Sequence, residues 1–442
     1  AADDDDGDAA ALRRTASELF AAARESYGRT VLSLSGGGAL GTYHFGVARA
    51  LFEERLLPDA ICGTSAGAIV AAFCCSRSDD ELRRDLFDDA ALVRELRCFE
   101  RTTWQMLASY VRTGACYDGA RWMEIARWFA NDARGPGRAP RLGDGRRAPR
   151  ERVVAARARE TRREASRPRD AVAVRFYETG RLDGGDPAQA AIADMTFAEA
   201  RARSGRSLAI TVCAKGKRAP PVLLTHVTSP HVTLVSAIVA TAAVPHLVKP
   251  QVLCEKDPET GIVRPQPGGE AYIDGSIVHD IPTVGLREAF NARFVVASQV
   301  NPHFQPMLYA THGAAGEPCR WAPRGCAEAG WRGGFVLAAL ELFLRSDMSA
   351  KLQFLQDVDA TPGWSGRVFT QSTGGTITIT PALHVRDYFL LFSNPTRGNI
   401  GRYTREGRVA AYQKMAMLRT RAHVERALAD ACAALASVAH AS

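Results

Sequence analysis

The sequence predicts an α/β fold: a mostly parallel central sheet with helices on both faces, followed by a helical C-terminal extension. Three observations carry that expectation. The apolar run Thr30 to Leu34 passes through three consecutive glycines, Gly36, Gly37 and Gly38, into a helical pattern. The run Asp59 to Cys62 passes through Gly63-Thr64-Ser65-Ala66-Gly67 into a second helical pattern, Ala66 to Cys75. From Leu208 onward, short apolar runs alternate with helical periodicity, the order that builds a doubly covered sheet.

Taken in order, the acidic start Asp3 to Asp6 reads as disordered and Ala11 to Tyr27 as one helix leading into the strand Thr30 to Leu34. Gly41 to Leu56 is the helix behind the glycine loop. Asp79 to Leu96 and Gly119 to Phe129 have helical spacing, with Trp122, Ile125, Ala126 and Phe129 on one face, the pattern of a core stripe. Leu208 to Ala214 and Val222 to Thr228 read as strands and Val232 to Ala240 as a helix. The small-residue run Ala237 to Pro245 follows, and Ala271 to Asp274 and Phe294 to Gln299 are further strands. Beyond Ala310, Trp321 to Trp331 is a Gly/Pro-broken loop, Phe335 to Leu355 a helix, and Arg405 to Ala439 a long amphipathic helix suited to a sheet edge or a lipid surface. Phe389 to Phe392 and Trp364 are further candidates for lipid contact. The expected domains are an N-terminal lead-in (1–29), a main domain (30–310) and a mainly helical C-terminal region (311–442).

The main domain is interrupted at 133–193 by a segment whose composition favours disorder, with a possible helix from Arg150 to Glu164. The formal charge of the 442-residue chain is +8, and Arg134 to Asp170, with thirteen arginines and five acidic residues, carries all of it. Such an arm either docks on anionic headgroups, at about 1 kcal/mol per basic residue, or is a low-complexity expansion. Nucleic acid is not an expected partner, because the arm lacks the aromatic and groove-reading residues that would accompany its charge. The chain opens on Ala1 and reads as a fragment of a longer protein. No apolar run reaches the ~18 residues of a spanning helix; Ser236 to Val248 is broken by Pro245 and His246, and Phe335 to Leu344 by Glu341. Of ten cysteines, Cys62, Cys74, Cys75 and Cys213 sit where small buried apolar residues belong, and only Cys319 and Cys326 occupy a loop that could hold a bridge. No pair of Cys-x-x-Cys knuckles exists, so no metal is expected, and a reducing, intracellular compartment fits.

Gly63-Thr64-Ser65-Ala66-Gly67 is a G-x-S-x-G turn in its proper place, after a strand and before a helix. Small neighbours let the chain turn sharply and expose the Ser65 hydroxyl. The Gly36 to Gly38 loop offers uncovered N–H groups at a helix start, which suits an anion. A nucleotide phosphate is excluded by the missing Gly-Lys-Ser/Thr and dinucleotide spacing. An oxyanion fits better, with Gly37, Gly38 and Ala66 N–H as donors, each worth about 3 kcal/mol of barrier. The base is the remaining part. None of the ten histidines stands in a loop that singles it out; His44, His226 and His231 read as structural, and His279 could support a neighbouring base by a hydrogen bond. Asp274, at the end of a short strand and before Gly275, can take the serine proton directly if its surroundings are dry. No histidine has an aspartate five positions on, which argues against a His/Asp acyltransferase.

The glycine loop Gly36 to Gly41, the Ser65 turn and Asp274-Gly275, in this order, resemble the patatin-like acyl hydrolases. Phe45-Gly46-Val47, Leu56-Leu57-Pro58, Thr113-Gly114, Met195-Thr196-Phe197, Gly205 to Leu208, Ile210 to Cys213, Leu224 to Val232 and Asn301-Pro302-His303 extend the likeness to one branch. That branch is the intracellular triacylglycerol lipases of plant oil bodies and fungal lipid droplets, and the similarity runs from about Tyr27 to Pro306. The resemblance implies an α/β/α patatin fold, no cofactor or metal, hydrolysis of long-chain acylglycerols, and a peripheral place on a lipid droplet or membrane. It makes Ser65 the nucleophile, Asp274 the general base, and Gly36, Gly37 and Gly38 the oxyanion loop, and it suggests that Ala237 to Pro245 line the acyl pocket. Two departures are Leu40, where many patatins have Lys or Arg, and Asp-Gly-Ser in place of Asp-Gly-Gly or Asp-Gly-Ala. Alternatives on the same dyad are a phospholipid or galactolipid acyl hydrolase and a lysolipid acyltransferase. A catalytically silent lipid-binding scaffold is the alternative of another class. Oligomeric state and any protein activator are not legible.

Overall fold

A computed structural model describes residues 2–117, 119–131, 194–215, 220–277, 279–302, 304, 335–358, 371 and 374–441. The Arg-rich insertion, the loop Trp321 to Trp331, Trp364, Cys319 and Cys326 lie outside them. The described strands are β1 (Arg29–Leu34), β2 (Ala60–Gly63), β3 (Ser207–Ala214), β4 (Pro221–Thr225), β5 (Gln251–Val252), β6 (Cys254–Lys256), β7 (Val263–Pro265), β8 (Ala271–Asp274), β9 (Ala292–Ser298) and β10 (Ile377–Ile379). Strands β6 and β7 make a small ribbon. The other eight form one sheet in the order β10-β9-β1-β2-β3-β8-β5, with β4 also paired to β3. Pairing from β10 to β3 is parallel; β4, β5 and β8 run antiparallel to their neighbours.

Alternation along the strands sorts side chains by size. Leu32, Leu34, Ile61, Leu208, Ile210 and Val212 point into a large core shared with the helices Tyr43–Glu53, Ala66–Cys75, Ala120–Ala130 and Leu234–Thr241. On the other face Val31, Ala60, Cys62, Ala209 and Ala297 meet Ile281, Leu286 and Phe290 around the helix Thr283–Phe290. The result is an α/β/α sandwich with a thick and a thin helical layer. Burying a large aliphatic side chain is worth about 1.5–3 kcal/mol, so the thick layer dominates the stability.

The structure adjusts several expected elements. The acidic start Asp3 to Asp6 falls within the helix Ala2–Tyr27. The helix expected over Asp79 to Leu96 is two, Asp79–Asp85 and Asp89–Glu95, because Asp88 caps the second by accepting the Ala91 N–H. Gly41 to Leu56 divides into a 3-10 turn, Gly38–Thr42, and the helix Tyr43–Glu53. The long C-terminal helix is also two, Arg397–Tyr412 and Met415–Ala441. Thr103–Thr113, not anticipated, is a helix with a capping box, Thr102 and Gln105 exchanging hydrogen bonds, and Gly114 in the left-handed C-terminal position.

Residues beyond 310 are tied into the sheet sandwich. β10 forms its edge, and the backbones of Arg397–Tyr412 and Tyr43–Glu53 meet at Gly46 and Gly407, where a methyl on either glycine would overlap the opposite main chain. Glu425 accepts the Thr30 N–H, and Arg421 donates to the carbonyls of Tyr27 and Gly28, fixing Met415–Ala441 against the start of β1. No described helix is long and apolar enough to cross a membrane.

Candidate active site

Two strand ends converge on β3. β4 covers one edge of β3 from Ala209 to Cys213, so β2 and β8 must share the other. Parallel β2 stops with Gly63 opposite Ile210, and antiparallel β8 stops with Asp274 opposite Val212. Their C-terminal ends therefore face each other two residues apart along one strand, and this brings Ser65 and Asp274 into the same cavity.

Ser65 turns sharply, with φ 52° and ψ −123°, a conformation costing about 1–3 kcal/mol for a residue with a side chain. Its N–H donates to the Thr241 hydroxyl (3.0 Å), which donates in turn to the Thr211 carbonyl (2.6 Å). Gly67 locks the turn to the neighbouring loop: a methyl there would overlap the carbonyl oxygens of Leu34 and Ser35. The strain is thus held by packing on one side and a threonine on the other.

Asp274 is fully buried. Burial pushes its carboxyl up from 3.8 to about 6, with nearby Ser65 and Ser276 offsetting part of the rise. Oδ1 accepts the Ser276 N–H at 2.8 Å, while Oδ2 has no hydrogen-bond partner. A raised carboxylate with the Ser65 side chain close enough to lower its pKa is equipped to accept the serine proton. His279 does not bond Asp274. Its N–H reaches the Gly275 carbonyl, and burial lowers its ring's basicity.

The glycine loop is suspended from a buried carboxylate that sequence reasoning missed. Asp280 Oδ1 accepts the Gly36 N–H (2.7 Å), and Oδ2 accepts from Gln299 (2.9 Å) and Asn301 (2.7 Å). Its own backbone is held by Thr64 and Gln371. Burial, helped by the nearby Asp274 charge, raises Asp280 to about 6 against these hydrogen bonds. Gly36, expected as an oxyanion donor, is therefore already committed, and the loop's anchor is its role. Among the described residues the N–H groups of Gly37, Gly38 and Ala66 have no partner. His44, buried and lowered to about 4, is neutral: Nε2–H donates to the Ser35 carbonyl (3.0 Å), and Nδ1 accepts from Ser298 (2.8 Å). It braces the same loop. His226 stacks on Phe290, and neither it nor His231 lines the cavity.

The cavity has a volume of about 250 Å³. Ala242, Val244 and Pro245 of the small-residue run contribute to its wall, as do Leu96 and Phe99, which no motif marked, and Leu391, within the stretch Phe389 to Phe392 expected to touch lipid. Trp122, on the expected core stripe, is only half-buried and also faces this cavity, packed edge-on against Phe99; Ile125, Ala126 and Phe129 are core. Leu391 also accepts the Ala39 N–H, so the C-terminal region props the glycine loop. Among the described residues the lining contains no Lys, Arg or His.

A model of the patatin-like phospholipase family matches residues 32–287. A patatin-like phospholipase domain-containing protein of Cryptococcus neoformans var. neoformans serotype D is 33% identical over 416 residues, 93% of this chain and 40% of that protein. One from Coccidioides immitis is 31% identical over 419 residues, 93% of this chain and 48% of its own length. Among solved structures, VipD from Legionella pneumophila aligns with a TM-score of 0.37 at 13% identity, covering 89% of this chain and 67% of that one. The chain belongs to the patatin-like phospholipase family, and its fold is the patatin fold with added C-terminal helices. It spans less than half the length of these curated relatives.

Proposed function

We propose that the protein is a serine acyl hydrolase that cleaves fatty-acyl esters of triacylglycerol at a lipid-droplet or membrane surface. The observation that carries this reading is one cavity holding a strained serine, a buried carboxylate with an unpartnered oxygen, and three free N–H groups. Asp274 takes the Ser65 proton as Oγ attacks the acyl carbonyl. The N–H groups of Gly37, Gly38 and Ala66 receive the oxyanion. Collapse of the tetrahedral intermediate breaks the ester bond, and Asp274 returns its proton to the departing glyceride oxygen. Water then gives a proton to Asp274 and attacks the acyl-enzyme; the second collapse frees the fatty acid and restores the Ser65 hydroxyl.

The described lining supports a neutral glyceride, because a phosphate would meet no cation among those residues and Leu40 supplies none. The name of the family favours phospholipids as the second reading. A fluorophosphonate probe and p-nitrophenyl butyrate test the dyad without a lipid surface. Wild-type protein should react with both, Ser65→Ala with neither, and Asp274→Asn some 10²–10⁴-fold more slowly. Undiminished ester hydrolysis by Ser65→Ala would overturn the assignment.

A further inference from the structure

Two exposed apolar segments flank the cavity. The helix Thr103–Thr113 turns Ser109 and part of Met106 inward, and Met106 shares a cluster with the cavity residues Phe99, Trp122 and Leu247. Tyr110 packs on His246, whose chain neighbours Pro245 and Leu247 also line the cavity. The outer face carries Trp104, Leu107, Ala108 and Val111, the i, i+3, i+4, i+7 spacing that normally faces a core. Here Trp104 and Val111 are each 80% exposed. Beside the cavity from the C-terminal region, Phe392 packs on Phe99 and lines the cavity, while Phe389 is 82% exposed.

We infer that the outer face of Thr103–Thr113 and the Phe389 turn together form the surface by which the protein docks on an anionic lipid interface, with the cavity between them. Three features select that occupant. The helix that carries the apolar stripe packs its inner face, through Met106 and Tyr110, on residues beside the acyl cavity, so whatever covers the stripe lies next to that cavity. The exposed charged residues within Thr103–Thr113 and Val385–Phe389 are Arg112 and Arg386, both cationic, with Arg397 after the second segment and Glu100 before the first, while Asp387 is buried and paired with Arg402. Large apolar side chains at helical spacing with a basic flank suit insertion at the headgroup boundary. The inference rests on the proposed hydrolase reading for the identity of what covers the face, and the stripe itself does not touch Ser65 or Asp274.

The test uses the full chain carrying Ser65→Ala, so that vesicles survive, sedimented with phosphatidylcholine vesicles and with equal mixtures of phosphatidylcholine and phosphatidylserine. Binding should be tighter to the mixture and fall at least about tenfold in Trp104→Ser/Leu107→Ser/Val111→Ser and in Phe389→Ser. The same substitutions on the wild-type background should leave p-nitrophenyl butyrate hydrolysis unchanged, which also reports that the variants fold. Sedimentation undiminished in the variants would overturn the inference, as would failure of the parent to bind either vesicle. A dimer that the triple variant converts to monomer would equally overturn it, by assigning the face to a second copy. Loss of soluble-ester hydrolysis by the wild type would sink the hydrolase reading and leave docking standing.

Discussion

Asp274→Asn should slow hydrolysis some 10²–10⁴-fold and stabilise the fold at neutral pH. Asp274 is fully buried, and burial lifts its carboxyl from 3.8 to about 6. At about 1.36 kcal/mol per pH unit, holding that group ionised above pH 6 costs the folded state roughly 3 kcal/mol. The sign follows from proton binding: the folded state holds the proton more tightly than the unfolded chain. Stability from this group is therefore full below about 3.8, declines as pH rises towards 6, and is absent above it. Asparagine keeps an oxygen for the Ser276 N–H, carries no charge, and places an amide where Oδ2 now lacks a partner. A gain of about 1–3 kcal/mol remains after that amide finds the serine oxygen. Thermal unfolding at pH 7.5 and pH 5 reads it out: the variant melts higher at pH 7.5, and the gap narrows at pH 5. A variant that melts lower at pH 7.5, or a gap independent of pH, would refute a buried, ionised base at this position.

Three further outcomes follow from the same geometry. With a soluble ester, kcat/KM should rise with pH through an inflection near 6, where Asp274 loses its proton, and His279→Gln should keep that inflection; its disappearance in the histidine variant would transfer the base role to His279. Asp280→Asn sets an amide donor against the amides of Gln299 and Asn301, or turns it on the Gly36 N–H. Displacing the glycine loop should lower kcat about 10–100-fold with little change in KM, and a KM effect alone would mean the loop does not hold the oxyanion. Gly67→Ala drives a methyl into two backbone carbonyls and should prevent soluble expression, whereas Ser65→Ala should express normally.

That Ser65 and Asp274, the proposed catalytic pair, meet in one cavity was foreshadowed because each sits in a short local signature: small residues around Ser65, and a strand-ending Asp274 before glycine. The sheet was legible for the same local reason, since β1, β2, β3 and β9 are nearly continuous buried apolar runs. What escaped depends on distant pairing. β10 is three residues long, and only its parallel register with β9 makes it a strand. Asp280 lies six residues past Asp274, directly after His279; its partners Gly36, Gln299, Asn301 and Gln371 come from three separate segments. A carboxylate near a glycine loop and two amide side chains has no sequence spacing to betray it. Trp122 was legible as part of an apolar stripe, but which end of that stripe opens on a cavity is set by Phe99, on another segment.

The most direct measurement is fatty-acid release from emulsified triolein and from mixed phospholipid vesicles by the wild type, Ser65→Ala and Asp274→Asn. The account expects release from triolein that Ser65→Ala abolishes and Asp274→Asn slows some 10²–10⁴-fold. Release from vesicles alone would move the substrate to phospholipids, and release from triolein that survives Ser65→Ala would contradict the account at its centre.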